Sequence, residues 1–272
     1  MIKQVKTFRL FVRPDEKSRQ IADKIRELND QKAHPLRESE DADLVIAIGG
    51  DGTFIHAVTQ THFSKKAVYT GIHTGTLGFL QDLSEDDIPM LLEHICFCEN
   101  IKTRKVFVAL VEVFLRDGST QKFFALNEAL IAGENYSKIS FAEYIDGELL
   151  QNITGCGINI ATSTGDTGFS LNANGAIDFS NNFQLVATLE NPITNATTER
   201  FISNPVIGSK IDVYIKPANN VCIKIDGQKK DIDSRLIERV EVSMVDDSYY
   251  INKLNLKNYS KVAIVRAKIL GY

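Results

Sequence analysis

Five consecutive apolar residues, Leu44-Val45-Ile46-Ala47-Ile48, run straight into Gly49-Gly50-Asp51-Gly52-Thr53, after which apolar spacing resumes with Phe54, Ala57 and Val58. An unbroken apolar run of this length suits a strand buried on both faces of a parallel sheet, whereas Phe54, Ala57, Val58 and Thr61 recur at helical spacing. Strand, tight loop and helix therefore succeed one another, and the loop stands at the carboxyl end of a strand. Open α/β sheets bind their ligands there. Three glycines let backbone N–H groups approach phosphate oxygens, and the helix N-terminus faces the same point. Gly-Asp-Gly also serves as plain turn chemistry. A carboxylate is a poor neighbour for phosphate unless a metal or a proton transfer employs it, so Asp51 favours phosphoryl transfer over passive dinucleotide binding. Neither G-x-x-x-x-G-K-[ST] nor G-x-G-x-x-G occurs in the chain, which argues against a P-loop enzyme and against an ordinary dehydrogenase.

Two further stretches, Gly71-Ile72-His73-Thr74-Gly75-Thr76-Leu77-Gly78-Phe79 and Asn127-Glu128, join the first in resembling the NAD kinases. The resemblance runs nearly end to end. Its glycine-aspartate motif alone is shared with diacylglycerol, sphingosine and other lipid kinases, while the other two motifs are more specific and favour a nucleotide over a lipid. The resemblance implies that ATP donates its γ-phosphoryl group to the 2′-hydroxyl of the adenosine ribose of NAD, giving NADP. It implies that Asp51 orients or deprotonates that hydroxyl and that the amides of Gly49, Gly50, Gly52 and Thr53 cradle phosphates. Mg2+ accompanies ATP. Phe79 is expected to line the nucleotide pocket, and Asn127 and Glu128 to hold the ribose and nicotinamide part of NAD near Asp51.

At 272 residues the chain has length for two compact domains with their own cores, although one large domain is not excluded by length. The reading is an α/β first domain with a parallel, Rossmann-like sheet over residues 1–98, completed by 251–272. A mostly β, sandwich-like domain that binds NAD and mediates oligomerisation fills residues 99–250. Lys+Arg of 31 against Asp+Glu of 35 gives a net charge of −4 with both signs interspersed, which implies no nucleic-acid or membrane-surface partner. No apolar leader opens the chain and no run approaches a membrane span, so a cytoplasmic protein is expected. Four cysteines, Cys96, Cys98, Cys156 and Cys222, form no zinc pattern and are expected as free thiols.

In chain order, residues 8–12 suit a first strand, and Ile21, Ile25 and Leu28 form the stripe of a helix with Asp15 and Glu16 in its first turn. His34-Pro35 breaks the chain after that helix, with His34 on a surface loop. Residues 67–72 supply another buried strand, and Ser84 caps a helix carrying Ile88, Leu91, Leu92 and Ile95. His73 reads as a hydrogen-bonded turn histidine and His56 as structural. Beyond residue 100 the period changes to alternation. Strands are expected over 105–114 and 123–131 around the turn Arg116-Asp117-Gly118-Ser119, and over 139–145 and 148–154 around Asp146-Gly147. Further strands fall at 183–189, 211–216, 221–225 and 240–245, and Val262-Ala263-Ile264-Val265 packs back on the first domain, as the family resemblance implies. Asn127 and Glu128 interrupt the 123–131 strand; on their own they suit an edge strand with a polar kink.

Residues 155–170, dense in Gly, Ser and Thr, read either as a surface loop or as a loop whose hydroxyls and amides meet an adenine or ribose. They resemble the family's long Gly-Asp-Gly to Ala-Tyr motif, and Cys156, Thr164, Thr167, Gly168, Phe169, Ser170 and Asn172 are carried as substrate-binding candidates. Departures stand beside the matches. The family's aspartate is Cys156 here, its proline is Ser163 and its Ala-Tyr is Gly168-Phe169, so a carboxylate and a phenol hydroxyl are lost and substrate affinity or choice is affected. Arg200 and Asp226 match family positions too, although Asp226-Gly227 equally suits a hairpin turn. Strand edges in the second domain need cover, and a homodimer or homotetramer through it is expected, as the resemblance also implies. Two alternatives remain: a lipid kinase of the same superfamily, and a non-catalytic dinucleotide-binding relative.

Overall fold

The computed structural model describes the chain apart from residues 1, 4, 76–77, 99, 181–183, 194–199, 218, 245–248, 259 and 272. It divides into two compact units, one of residues 1–106 and 250–272 and the other of residues 107–249.

The first unit grows from Leu44–Gly49, whose residues are all buried. Leu44, Ile46 and Ile48 are each 0% exposed, and removing such a side chain from water contributes about 1.5–3 kcal/mol. This strand pairs in parallel with Thr7–Val12 on one side and Val68–His73 on the other, and Val68–His73 pairs in parallel with Tyr250–Leu254. The sheet order is Arg37–Glu38, Thr7–Val12, Leu44–Gly49, Val68–His73, Tyr250–Leu254, Thr103–Phe107. Helix Glu16–Asp30 begins where the Asp15 carboxylate accepts from Ser18 N at 3.0 Å, and it buries Ile21, Ala22 and Ile25. Ile88–Phe97 buries Leu91, Leu92 and Ile95, in the same apolar cluster as Ile46, Ile48 and Ile72. The expected division at residue 98 compares with an observed one at 106, since Thr103–Phe107 extends this sheet beside Tyr250–Leu254.

The second unit is a sandwich of two six-stranded sheets, and every pairing recorded in them is antiparallel. One runs Val206–Gly208, Leu185–Glu190, Gly157–Thr162, Glu128–Gly133, Val221–Ile225, Gln228–Lys229; the other runs Glu148–Gly155, Ile139–Ile145, Lys210–Ile215, Ile237–Ser243, Ala109–Leu115, Thr120–Ala125. Ile131, Ile158, Ile160 and Ile223 of the first sheet share one apolar cluster with Val111, Val113, Phe141, Val213 and Val240 of the second. In the second of these sheets Ile139–Ile145 alternates because one face is inside and the other is not, whereas Gly157–Thr162 and nearly all of Glu128–Gly133 in the first are buried on both faces.

Several sequence expectations change. The run expected as one strand over 105–114 is two, Thr103–Phe107 and Ala109–Leu115, broken where Val108 N donates to Tyr249 O at 2.9 Å. The run over 123–131 is also two strands, Thr120–Ala125 in one sheet and Glu128–Gly133 in the other. Residues 157–162, expected within a Gly/Ser/Thr loop, are the strand Gly157–Thr162, buried throughout; Ile158 and Ile160 fill the core while Gly and Thr obscure the alternation. The strand expected over 183–189 is seen as Leu185–Glu190, with Phe183 outside the described residues, and that over 240–245 as Ile237–Ser243, with Val245 likewise outside. All four cysteines are free. Among the described residues no helix is long and apolar enough to cross a membrane.

Candidate active site

The strand Leu44–Gly49 ends in the loop and Asp51 opens the helix Asp51–Gln60, with Gly50 as its N-cap. The helix holds its place by burying Phe54, Ala57 and Val58. Thr53 N donates to Gly50 O at 2.9 Å, so the helical ladder leaves the amides of Asp51 and Gly52 without an acceptor of its own. Among the described residues, side chains added at Gly50 or Gly52 would meet nothing within 4 Å, so their small size serves no packing there and leaves space above the amides. An anion approaching this point meets donors and the positive end of the helix together.

The Asp51 carboxylate is clamped. Its Oδ2 accepts from Phe79 N at 3.0 Å and its Oδ1 from Leu80 N at 2.9 Å, which brings the second loop of the sequence motif against the first. A Cβ at Gly78 would stand 2.2 Å from Asp51 Oδ1, so glycine is what lets the loop approach. Thr76 and Leu77 of that loop lie outside the described residues. Gln81, 0% exposed, donates from Nε2 to Gly50 O at 2.7 Å and fixes the loop from behind. His73 donates from Nδ1 to Gly75 O at 2.9 Å, and exposed His56 lies edge-on to Phe11. Under the same loop Lys253, 0% exposed, pairs with Asp82, and burial pulls its ammonium down to about 8. Lys268, which no motif marked, stands with Nζ 3.9 Å from Asp51 Oδ2 and 4.6 Å from the centre of the Phe79 ring.

A second group assembles within the other unit. The break between the strands Thr120–Ala125 and Glu128–Gly133 frees backbone amides, and Asp226 collects them: its carboxylate accepts from Leu126 N at 2.9 Å, Asn127 N at 2.7 Å and Glu128 N at 3.2 Å. Asp226 sits at φ +51 in the hairpin between Val221–Ile225 and Gln228–Lys229, so it is both turn residue and anchor. Burial raises its carboxyl. Burial, with the Asp226 charge second, pushes Glu128 up to about 7, so at neutral pH this group both donates and accepts hydrogen bonds across its population. Asn127 Oδ1 is buried and has no hydrogen-bond partner among the described residues.

The third motif closes on the same point. Thr162 N donates to Asn127 O at 2.8 Å and Thr162 Oγ1 to Leu126 O at 2.7 Å. A Cβ at Gly165 would stand 2.1 Å from Asn127 O, so glycine permits the contact. Thr164 N reaches Thr162 Oγ1 at 3.1 Å, Thr167 is half-buried, and Gly168 and Phe169 are exposed, Phe169 by 39%. Ser170 is 0% exposed with its hydroxyl toward Thr188, whereas Asn172 is exposed. Cys156 stands apart. It precedes Gly157–Thr162, and that strand meets Glu128 only at Ala161, about 16 Å along it. Arg200 is exposed and distinct in sequence from the cluster.

Comparison with known proteins agrees with these motifs. A model of the ATP-NAD kinase N-terminal domain matches residues 5–99, and one of the ATP-NAD kinase C-terminal domain matches residues 126–254. NAD kinase 2 of Oceanobacillus iheyensis is 27% identical over 92% of this chain and 93% of its own length. NAD kinase 1 of the same organism is 31% identical over 80% and 83%, and the NAD kinase of Enterococcus faecalis is 30% identical over 79% and 88%. A crystal structure of yeast NADH kinase complexed with NADH superposes with a TM-score of 0.79, covering 99% of this chain and 88% of that one; at 19% identity it speaks for the fold.

Proposed function

The chain belongs to the ATP-NAD kinase family, and from that premise we propose that it transfers the γ-phosphoryl group of ATP to the 2′-hydroxyl of the adenosine ribose of NAD, giving NADP. The observation that carries this reading is the Asp51 carboxylate, gripped on both oxygens by the Phe79 and Leu80 amides at the head of a helix. Each oxygen keeps a lone pair beyond the one the clamp uses, and that lone pair orients a sugar hydroxyl and accepts its proton as the phosphorus bond forms. The open amides of Asp51 and Gly52 take phosphate oxygens.

The second unit supplies the dinucleotide contacts in this proposal. Asn127 Oδ1, buried and without a partner among the described residues, suits a donor on the ligand, and the carboxyl of Glu128 suits ribose hydroxyls. Phe169 offers a flat exposed ring for stacking. Among the described residues no three His, Cys, Asp or Glu side chains gather to hold a metal. Magnesium enters here as part of the ATP substrate, where phosphates, waters and one or two protein carboxylates would suffice to hold it, and it would neutralise phosphate charge. Exposed Leu149 and Leu150 on the outermost strand Glu148–Gly155 support a homodimer or homotetramer through this unit, and a cytoplasmic location belongs to the same proposal.

The test incubates the purified protein with NAD, ATP and magnesium and reads NADP with an NADP-specific enzyme. Wild-type protein is expected to form NADP. Asp51→Asn is expected to lose roughly a hundred-fold to ten-thousand-fold in kcat, the range of general-base contributions, with its fold intact. A variant keeping more than about a tenth of the wild-type rate removes Asp51 from the chemistry.

A further inference from the structure

Phosphoryl transfer moves a group bearing negative charge on three equatorial oxygens, and enzymes meet that charge with cations as well as with magnesium. Neither loop at Asp51 provides one. From residue 44 to 64, and again from 67 to 101, the sequence contains no lysine or arginine. Arg13 lies beside Gly49, but its guanidinium is held by Asp15 at 2.5 Å. Lys253 is fully buried and paired with Asp82.

We propose that Lys268 is a catalytic residue whose ammonium contacts the phosphoryl group in transit, an assignment that rests on the kinase reading above. Its Nζ lies 3.9 Å from Asp51 Oδ2. Charge-assisted hydrogen bonds are about 2.7–2.9 Å, so Lys268 is within electrostatic reach of Asp51 without spending its N–H donors there, and an oxygen placed between them can take one. The Phe79 ring, 4.6 Å away, holds the ammonium by its face, and the side chain is 26% accessible, so the charge is partly out of water and its effect is stronger. Ile264 and Val265 are buried and anchor the helix Lys261–Val265, after which the chain continues as the wider turn Arg266–Leu270 that bears Lys268. Such wide turns concentrate at functional sites. In the step itself the bond from the γ-phosphorus to the bridging oxygen of ADP breaks, and ADP leaves with that electron pair. The ribose oxygen forms the new bond and its proton passes to Asp51.

The experiment compares wild-type, Lys268→Met, Lys268→Arg and Arg266→Met proteins for kcat, for KM toward NAD and ATP, and for melting temperature. Lys268→Met is expected to lower kcat on the order of 10²–10³-fold, the scale of losing one preorganised charge partner of the transition state, with KM for NAD within about threefold and an unchanged melting temperature. Lys268→Arg is expected to recover kcat to within about tenfold of wild type, and Arg266→Met, on the same turn, to keep the wild-type rate. A Lys268→Met protein within about threefold of wild-type kcat overturns the assignment. So does a loss shared equally by Lys268→Met, Lys268→Arg and Arg266→Met, which would mark a structural role for the turn. Wild-type protein that makes no NADP overturns the kinase reading and this assignment together, which separates that failure from the others.

Discussion

Gly78 shows how much of the site depends on single atoms. An added methyl would lie 2.2 Å from Asp51 Oδ1 and 3.1 Å from Gln81 Cβ, and the aspartate cannot swing aside without leaving the Phe79 and Leu80 amides. Gly78→Ala is therefore expected to lower kcat at least tenfold while costing about 1–3 kcal/mol in urea unfolding, the scale of overpacking. An alanine variant within twofold of wild type in rate would mean the clamp is not needed for turnover. Asp51 itself was legible in the sequence because strand, glycine loop and helix leave a local signature. Gln81 and Lys268 were not. A glutamine behind a loop and a lysine near the chain's other end take their meaning from tertiary approach, and neither spacing nor composition records that.

The change of sheet at Asn127 and Glu128 explains why an apparent strand was misread. Residues 123–131 are apolar on both sides of Asn127 and Glu128, so the sequence showed a single strand with a polar interruption; the three amides captured by Asp226 show where one sheet ends and the next begins. The capture leaves two carboxylates close together, and Glu128 retains its proton to about 7 instead of the usual 4.5. A folded-state pKa above the unfolded one means that the folded protein binds more protons between those values. Stability from this group therefore falls as pH rises through the window and stays low above 7. Glu128→Gln, neutral at every pH, is expected to melt above the parent at pH 8.5, by up to about 3 kcal/mol, with most of that gap closed at pH 5. Melting curves with the same gap at both pH values would locate the effect in packing instead of charge. The Asp146-Gly147 and Asp117-Gly118 turns, by contrast, were readable at once, since the turn chemistry is local and Asp146 adopts φ +50 with Gly147 at +91.

At the scale of the molecule, the second unit begins and ends at one place: Val108 N donates to Tyr249 O at 2.9 Å. Its apolar cluster is drawn from its own residues. A protein of residues 107–249 alone is expected to unfold cooperatively in urea, whereas residues 1–106 alone are expected not to, because Val68–His73 then lacks its parallel neighbour Tyr250–Leu254. Circular dichroism during titration checks both, and a cooperative transition in the 1–106 fragment would show that the returning strand is dispensable. The two fold classes were visible as a change of period near residue 100, and the family resemblance implied that the chain's last residues return to the first domain, but Tyr250–Leu254 was not read as a strand, since a short parallel strand looks the same wherever it docks. This arrangement also sets a clock for synthesis. Ribosomes add about 5–20 residues per second, so the first sheet waits on the order of ten seconds or more between the emergence of Val68–His73 and that of Tyr250–Leu254, with one apolar edge open to other nascent chains and to chaperones. A stalled ribosome that releases its product anywhere in that interval yields a polypeptide with Asp51 present but without Tyr250–Leu254 and Lys268, so premature termination leaves the Asp51 loop on an unfinished sheet and without the cation proposed for turnover.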